Sequence, residues 1–290
     1  MPHILTLVAA RKATTLAAAD IAAAREAVRG GAPSILSPGE AADIPADAAP
    51  DMNRVRAALG KRPIDAIATG TRGRRKGLLV ADMDSTIVTG ETLDELADFA
   101  GLKDRIAAIT RAAMNGELDF HEALRARVAM LKGLKLDALE QTWARVRLTP
   151  GAQELVRTMA AHNATTALVS GGFTFFTSRV AVLAGFHLHR ANTLLDDGAA
   201  LTGAVGEPIV DRDTKLAMLR ELAAERRLRM AATLAVGDGA NDLAMLREAG
   251  LGVAFHAKPI VAAEARARVD HADLRALLFA QGYRVDQITS

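Results

Sequence analysis

Leu79-Val80-Ala81-Asp82-Met83-Asp84-Ser85-Thr86 is a short apolar run that ends in two carboxylates spaced by two. Consecutive apolar residues of this length suit a strand buried on both faces. Alternation along such a strand puts Asp82 and Asp84 on one side of the chain. Neighbouring carboxylates repel, and one keeps its proton unless a cation neutralises the pair. A hard divalent metal is therefore implied, and with no cysteine in the 290 residues it must be held by oxygen or imidazole. Taken alone, the two aspartates also read as turn caps at a strand end.

A second stretch shifts that balance. Leu234-Ala235-Val236-Gly237-Asp238-Gly239-Ala240-Asn241-Asp242 again places carboxylates where an apolar strand turns into a helix. A dinucleotide fingerprint fails here, because Asp242 replaces its third glycine and Asp238 stands where a pyrophosphate would approach. A metal bridging carboxylates and phosphate oxygens removes the conflict, and magnesium binds in that way while keeping several waters.

Two further elements point to an anion. Leu168-Val169-Ser170-Gly171-Gly172-Phe173 is a strand ending in a hydroxyl and two glycines, followed by a helical pattern over 173–184 whose first N–H groups face outward. It is not a nucleophilic-serine elbow, since Leu168 stands where that motif needs glycine. Lys215 lies near the start of a helix over 214–228, where its charge opposes the helix dipole and asks for an anionic partner.

Beyond residue 76, the strands Leu78–Ala81, Thr166–Val169, Leu234–Val236 and Gly252–Phe255 alternate with helical patterns. Thr149-Pro150 and Asp213-Thr214 supply helix starts. The expected fold is α/β, a doubly wound parallel sheet over 76–290. Residues 91–147 break the alternation with about four helical patterns. Leaving just after the first strand, they predict a helical cap over the carboxyl ends of the strands. Residues 1–75 form a separate small α+β module, with strands at 3–10 and 64–69 and helices at 14–29 and 51–60.

Residues 1–76 carry 12 Lys and Arg against 7 Asp and Glu, and residues 77–290 carry 24 against 27. Much of the first excess is Arg72, Arg74, Arg75 and Lys76, which read as a solvated linker. No aromatic residue interleaves with them, so a nucleic-acid surface is not expected. No stretch is long and apolar enough to cross a bilayer. Together with the lack of cysteine, this predicts a cytoplasmic protein.

The order Asp82-x-Asp84-x-Thr86, Ser170-Gly171-Gly172, Lys215 and Gly237-Asp238-Gly239-x-Asn241-Asp242 resembles the haloacid dehalogenase superfamily of phosphohydrolases. The likeness covers residues 76–290. Within the insertion, Glu91, residues 113–120 and Leu124-Arg125-Ala126-Arg127-Val128 are similar to the cap of the family acting on phosphoserine. The resemblance implies that Asp82 is the nucleophile and that Asp84 protonates the leaving oxygen and then activates water. It implies Mg2+ on Asp82, the Asp84 carbonyl and Asp238, with Asp242 supporting that site and Asn241 the network around it. Ser170, Gly171 and Lys215 would grip the phosphoryl oxygens. Glu91 would face the substrate ammonium and Arg127 its carboxylate, with Met114 and Phe120 closing the pocket.

Away from the resemblance, Glu91 and Arg127 read as solvated charges, and Met114 and Phe120 as core of the insertion. The 7 histidines show no His-Glu-x-x-His spacing and read as ordinary surface or core residues. Phosphoryl transfer to another alcohol such as homoserine, hydrolysis of another small phosphate ester, and non-catalytic sensing stand as alternatives. Residues 1–75 compare with the amino-acid-sensing ACT modules that accompany some members, and a homodimer is expected.

Overall fold

The computed structural model describes residues 2–114 and 119–289; the side chains of residues 107 and 111–114 lie outside that description. The amino-terminal part runs β1 (His3–Ala9), α1 (Ala18–Val28), β2 (Ser34–Ser37), β3 (Ala41–Ala46), α2 (Met52–Leu59) and β4 (Ile64–Gly70). Its strands lie in the antiparallel order β2-β3-β1-β4. One face buries Leu5, Leu7 and Ala9 against Ile21 and Ala24 of α1 and Val55 and Leu59 of α2. Each fully buried leucine there contributes about 2 kcal/mol over exposure.

The hairpin of β2 and β3 is additional to the sequence expectation. Pro45 interrupts the apolar pattern, yet β2 pairs with β3 only between Ala41 and Asp43. Pro45 lies beyond that ladder, where its carbonyl accepts the Gly31 N–H at 2.8 Å, a strand end that tolerates a missing donor.

The chain continues through β5 (Leu78–Ala81), a tight turn (Met83–Ile87), and the helices α3 (Thr92–Phe99), α4 (Lys103–Met114), α5 (Phe120–Ala129) and α6 (Asp137–Arg145). Then follow α7 (Ala152–Ala161), β6 (Thr165–Phe173), α8 (Thr174–Ala184), β7 (Leu188–Asn192), β8 (Leu194–Asp196) and β9 (Leu201–Val205). The remainder is α9 (Arg212–Glu225), β10 (Thr233–Gly237), α10 (Leu243–Glu248), β11 (Leu251–Phe255), α11 (Pro259–Glu264), β12 (Ala267–Val269) and α12 (Ala276–Ala280). Among the described residues, β12-β11-β10-β5-β6-β7 form a parallel sheet. Leu78 and Val80 pack toward Leu219, Leu222 and Ala223 of α9, while Leu79 and Ala81 face the opposite core with Val156 and Phe176. Burial on both faces confirms the doubly wound architecture.

Two strands of this sheet escaped the periodicity. β7 is an edge strand whose Leu188, His189 and Arg190 are exposed, and β12 spans only three residues. Two helix starts also differ. The turn at Thr149-Pro150 precedes α7, whose N-cap is Gly151, and the cap of α9 is Asp211, two residues ahead of Asp213.

The cap hangs from two chain segments that lie side by side. Val88 bridges Leu148, Thr89 N–H donates to Arg147 O at 3.0 Å, and Thr149 N–H to Ile87 O at 2.9 Å. The hairpin β8–β9, which the sequence did not announce, joins the same layer. Gly133 N–H donates to Leu201 O at 2.8 Å, and Leu201 N–H to Leu134 O at 2.9 Å.

The amino-terminal sheet docks on the rest of the chain through apolar packing, Val8, Leu36, Ala41 and Ile67 joining the main core, and through polar contacts. Asp65 accepts backbone N–H groups of Asp270, His271 and Ala272 at 2.7–3.0 Å. Arg74, expected to be solvated, is largely buried. Its guanidinium holds both Asp43 carboxylate oxygens at 2.7 and 3.0 Å and donates to the carbonyls of Phe279 and Ala280.

Candidate active site

Asp82 follows β5, which lies between β10 and β6, and its N–H donates to Val236 O at 3.0 Å. By alternation it shares the side of Leu78 and Val80, the side covered by α9. That helix delivers Lys215, whose side chain is 1% exposed. The ammonium bonds Asp82 Oδ1 at 2.6 Å and Asp242 Oδ1 at 2.7 Å. Burial works against its charge, but Asp242 and Asp82 outweigh burial and raise its pKa above the ordinary lysine value.

Asp238 completes the acidic group, and oxygens of Asp82, Asp238 and Asp242 lie within 4.8 Å of one another. Burial, then the charge of Asp82, pushes Asp238 up to about 7, with Lys258 opposing. Burial likewise raises Asp242 to about 6 against the pull of Lys215. Three buried carboxylates facing one buried ammonium leave the cluster short of positive charge, and an all-oxygen donor set suits a hard divalent cation. Both Asp242 oxygens are engaged, one by Lys215 and the other by Gly239 N–H at 3.1 Å. Asp82 and Asp238 are thus the freer pair. Gly237 is required for space: a Cβ there would overlap the Asp242 carboxylate. Asn241 sits beside Gly239 in the same turn.

The turn after β5 aims Asp84. Ser85 adopts φ +54°, unusual for a residue with a side chain, and its N–H donates to Gly90 O at 3.1 Å. Thr92 N–H, in the first turn of α3, donates to Asp84 Oδ1 at 2.8 Å. Burial and the nearby Glu91 charge push Asp84 up to about 8, so it holds a proton at neutral pH. At the end of β6, Ser170 Oγ accepts Gly172 N–H at 2.9 Å. Buried Asn192 ties this turn to the segment before α9, donating to Gly171 O at 2.8 Å and accepting Val210 N–H at 2.7 Å.

The cap brings its own residues to this end of the sheet. Glu91 accepts from Ser85 Oγ at 2.6 Å, and burial raises its pKa against that hydrogen bond. Phe120 Cζ stands 3.6 Å from where a Cβ on Gly171 would lie. Arg127 is half-buried, with hydrogen bonds to Ala123 O and Thr110 Oγ1 within the cap, and burial lowers its pKa against the opposing charges of Asp94 and Glu91. Met114 ends α4, and its side chain lies outside the described residues.

Sequence reasoning missed Asn192 and Lys258. Asn192 belongs to the unread strand β7, so nothing flagged it. Lys258 follows β11, its ammonium 3.8 Å from Asp238 Oδ2; Pro259 directly after it was the available signal for a helix start at the same sheet end.

The model of the haloacid dehalogenase-like hydrolase family matches residues 79–247. The chain belongs to that family, a class of hydrolases. It is 46% identical over 199 residues to a phosphoserine phosphatase of Streptococcus thermophilus, covering 69% of this chain and 93% of that one. Within the superfamily it therefore belongs with the phosphoserine phosphatases. A second phosphoserine phosphatase, from Streptomyces coelicolor, is 43% identical over 80% of this chain and 56% of its own longer length. The structure of a probable phosphoserine phosphatase from Vibrio cholerae superposes with a TM-score of 0.78 at 33% identity, covering 97% of this chain and 88% of that one. That likeness extends through the amino-terminal sheet.

Proposed function

We propose that the chain hydrolyses O-phospho-L-serine to L-serine and phosphate, through an aspartyl-phosphate on Asp82. The observation that carries this reading is the buried Lys215 bonded to Asp82 and Asp242, with Asp238 alongside. It is a carboxylate nucleophile set among charges suited to a transferring phosphoryl group. Asp82 attacks phosphorus as the bond to the serine oxygen breaks, and Asp84 gives its proton to that oxygen. Asp84, now a carboxylate, takes a proton from water, whose oxygen displaces the Asp82 carboxylate and releases phosphate. Ser170, Gly171 and Lys215 hold the phosphoryl oxygens, and Asn241 steadies the turn beneath them.

Asp82 and Asp238 would hold Mg2+, with the Asp84 carbonyl as a further oxygen and Asp242 positioning Lys215. Bound there, the ion supplies positive charge to phosphoryl oxygens that the acidic cluster alone would repel. Glu91 meets the substrate ammonium and Arg127 its carboxylate, an arrangement supported by their shared electrostatic environment. Phe120 closes the pocket from the cap side.

Purified protein with Mg2+ should release equal amounts of serine and phosphate from phosphoserine. Asp82→Asn should lose at least about a thousandfold in kcat. Arg127→Ala should act mainly on KM. Serine released in excess of phosphate, when an alcohol is supplied, would favour transfer over hydrolysis.

The division into residues 1–75 and 76–290, with the cap at 91–147, belongs to the same reading, as does a cytoplasmic location. No helix among the described residues is long and apolar enough to cross a membrane. The βαββαβ order of the amino-terminal module supports a diverged amino-acid-sensing unit. Serine inhibition that survives deletion of residues 1–75 would remove that role. A homodimer fits the exposed Val182, Leu183 and Leu188 near the edge strand β7; sedimentation would decide it.

A further inference from the structure

Away from the acidic cluster, a second connection joins cap and core. His121, beside Phe120 at the start of α5, places Nε2 3.0 Å from Asp211 Oδ2. Its backbone is fixed independently, because Asp119 Oδ1 accepts the His121 N–H at 2.8 Å. The Asp211 carboxylate serves two elements. Its Oδ1 caps α9 by accepting N–H groups of Asp213 and Thr214 at 3.0 and 2.9 Å, leaving Oδ2 for the imidazole. Asp211 O also accepts the Lys215 N–H at 3.2 Å, in the first turn of the helix that carries the buried ammonium. Next in sequence, Val210 is bound to Asn192, which holds Gly171.

We infer that His121 and Asp211 form the latch that holds the cap closed over bound substrate, and that His121 is a positioning residue for the cap-side pocket. Phe120 meets the core at Gly171, and the latch fixes its immediate neighbour to the segment that supports both Gly171 and Lys215. Arg125 and Glu207, at 2.7 Å, add a second bond between α5 and that segment, but both side chains are mostly exposed. Such a surface pair contributes little. The His121–Asp211 pair is less exposed, at 41% and 23%, and belongs to a hydrogen-bonded network.

This inference rests on the phosphoserine reading for its kinetic test and on the fold alone for its second test. Steady-state kinetics would compare wild type, His121→Ala, Asp211→Ser and the double variant, serine being chosen because it still caps a helix. Phosphoserine and p-nitrophenyl phosphate, which lacks the amino-acid end, would be the substrates. With phosphoserine, each single variant should raise KM about fivefold, and the double variant no more than either single, with kcat nearly unchanged. With the aryl phosphate KM should stay within about twofold of wild type. His121→Gln, which keeps an N–H toward Asp211, should restore KM for phosphoserine. Hydrogen exchange across α5 should quicken in both single variants. Additive losses, equal losses on both substrates, or unchanged exchange in α5 would overturn the latch. Failure of wild type on phosphoserine would remove only the substrate assignment, leaving exchange to judge the latch.

Discussion

Asp84 Oδ2 lies 3.0 Å from the point that a Cβ on Gly172 would occupy. The same point is 3.1 Å from Ser170 Oγ and 3.3 Å from Met83 Cε, so three side chains converge on a position kept empty by glycine. Its backbone is not in the left-handed region, so alanine is opposed by space alone: the three neighbours would have to give by a few tenths of an ångström. Gly172→Ala should press on Asp84 and lower kcat by about tenfold, less than the roughly hundredfold cost of misplacing a catalytic group by an ångström. KM for phosphoserine should change less. A variant with wild-type kcat would show that Asp84 does not act from this position.

Lys215→Met should fail twice. Asp82 and Asp242 would lose their shared buried cation, and the fold should lose about 3–5 kcal/mol at neutral pH. Chemical denaturation at pH 7.5 and pH 5 would check this. The loss should shrink at the lower pH, as Asp242 takes up a proton. Activity should be absent at both.

The acidic cluster also sets how stability responds to pH. Asp84, Asp238 and Asp242 are raised to about 8, 7 and 6, whereas in the unfolded chain they titrate near an ordinary aspartate value of about 3.9. Between those limits the folded state binds more protons than the unfolded one, so stability falls as pH rises from about 4 to 8. Cation-free protein should melt at a higher temperature at pH 5 than at pH 8. Adding MgCl2 should raise the melting temperature more at pH 8. Equal shifts at the two pH values would argue against a cation on these carboxylates.

At the seam between the sheets, Arg74→Ala should cost about 3 kcal/mol. Its partner Asp43 would stay buried with only Thr6 Oγ1, at 2.7 Å, to satisfy it. Urea unfolding would measure the loss, and kcat per folded molecule should hold.

Arg74 also marks where sequence reading stops. In the run Arg72-Gly73-Arg74-Arg75-Lys76 one basic residue looks like another, and burial of the second depends on carbonyls some 200 positions away, those of Phe279 and Ala280. The strand ends Asp82, Ser170 and Asp238 were legible because a buried strand needs apolar residues, which makes a polar residue at its exit conspicuous. The cap was legible because helical periodicity replaced strand spacing. The hairpin β8–β9, the edge strand β7 and the β2–β3 pair were not, being short, exposed or interrupted by Pro45. The pairing of His121 with Asp211 joins a helix to a loop across 90 positions, and no local pattern encodes it.

The rung between Val88 and Leu148 closes the insertion into a loop whose two ends touch. The parallel sheet then experiences α3 to α6 much as it would a brief surface turn. On the proposed reading, the groups that meet the amino-acid end of the substrate ride on a cassette, replaceable between those two residues without resetting the register of β5 and β6, whereas the groups proposed to break the bond stay with the chassis beneath.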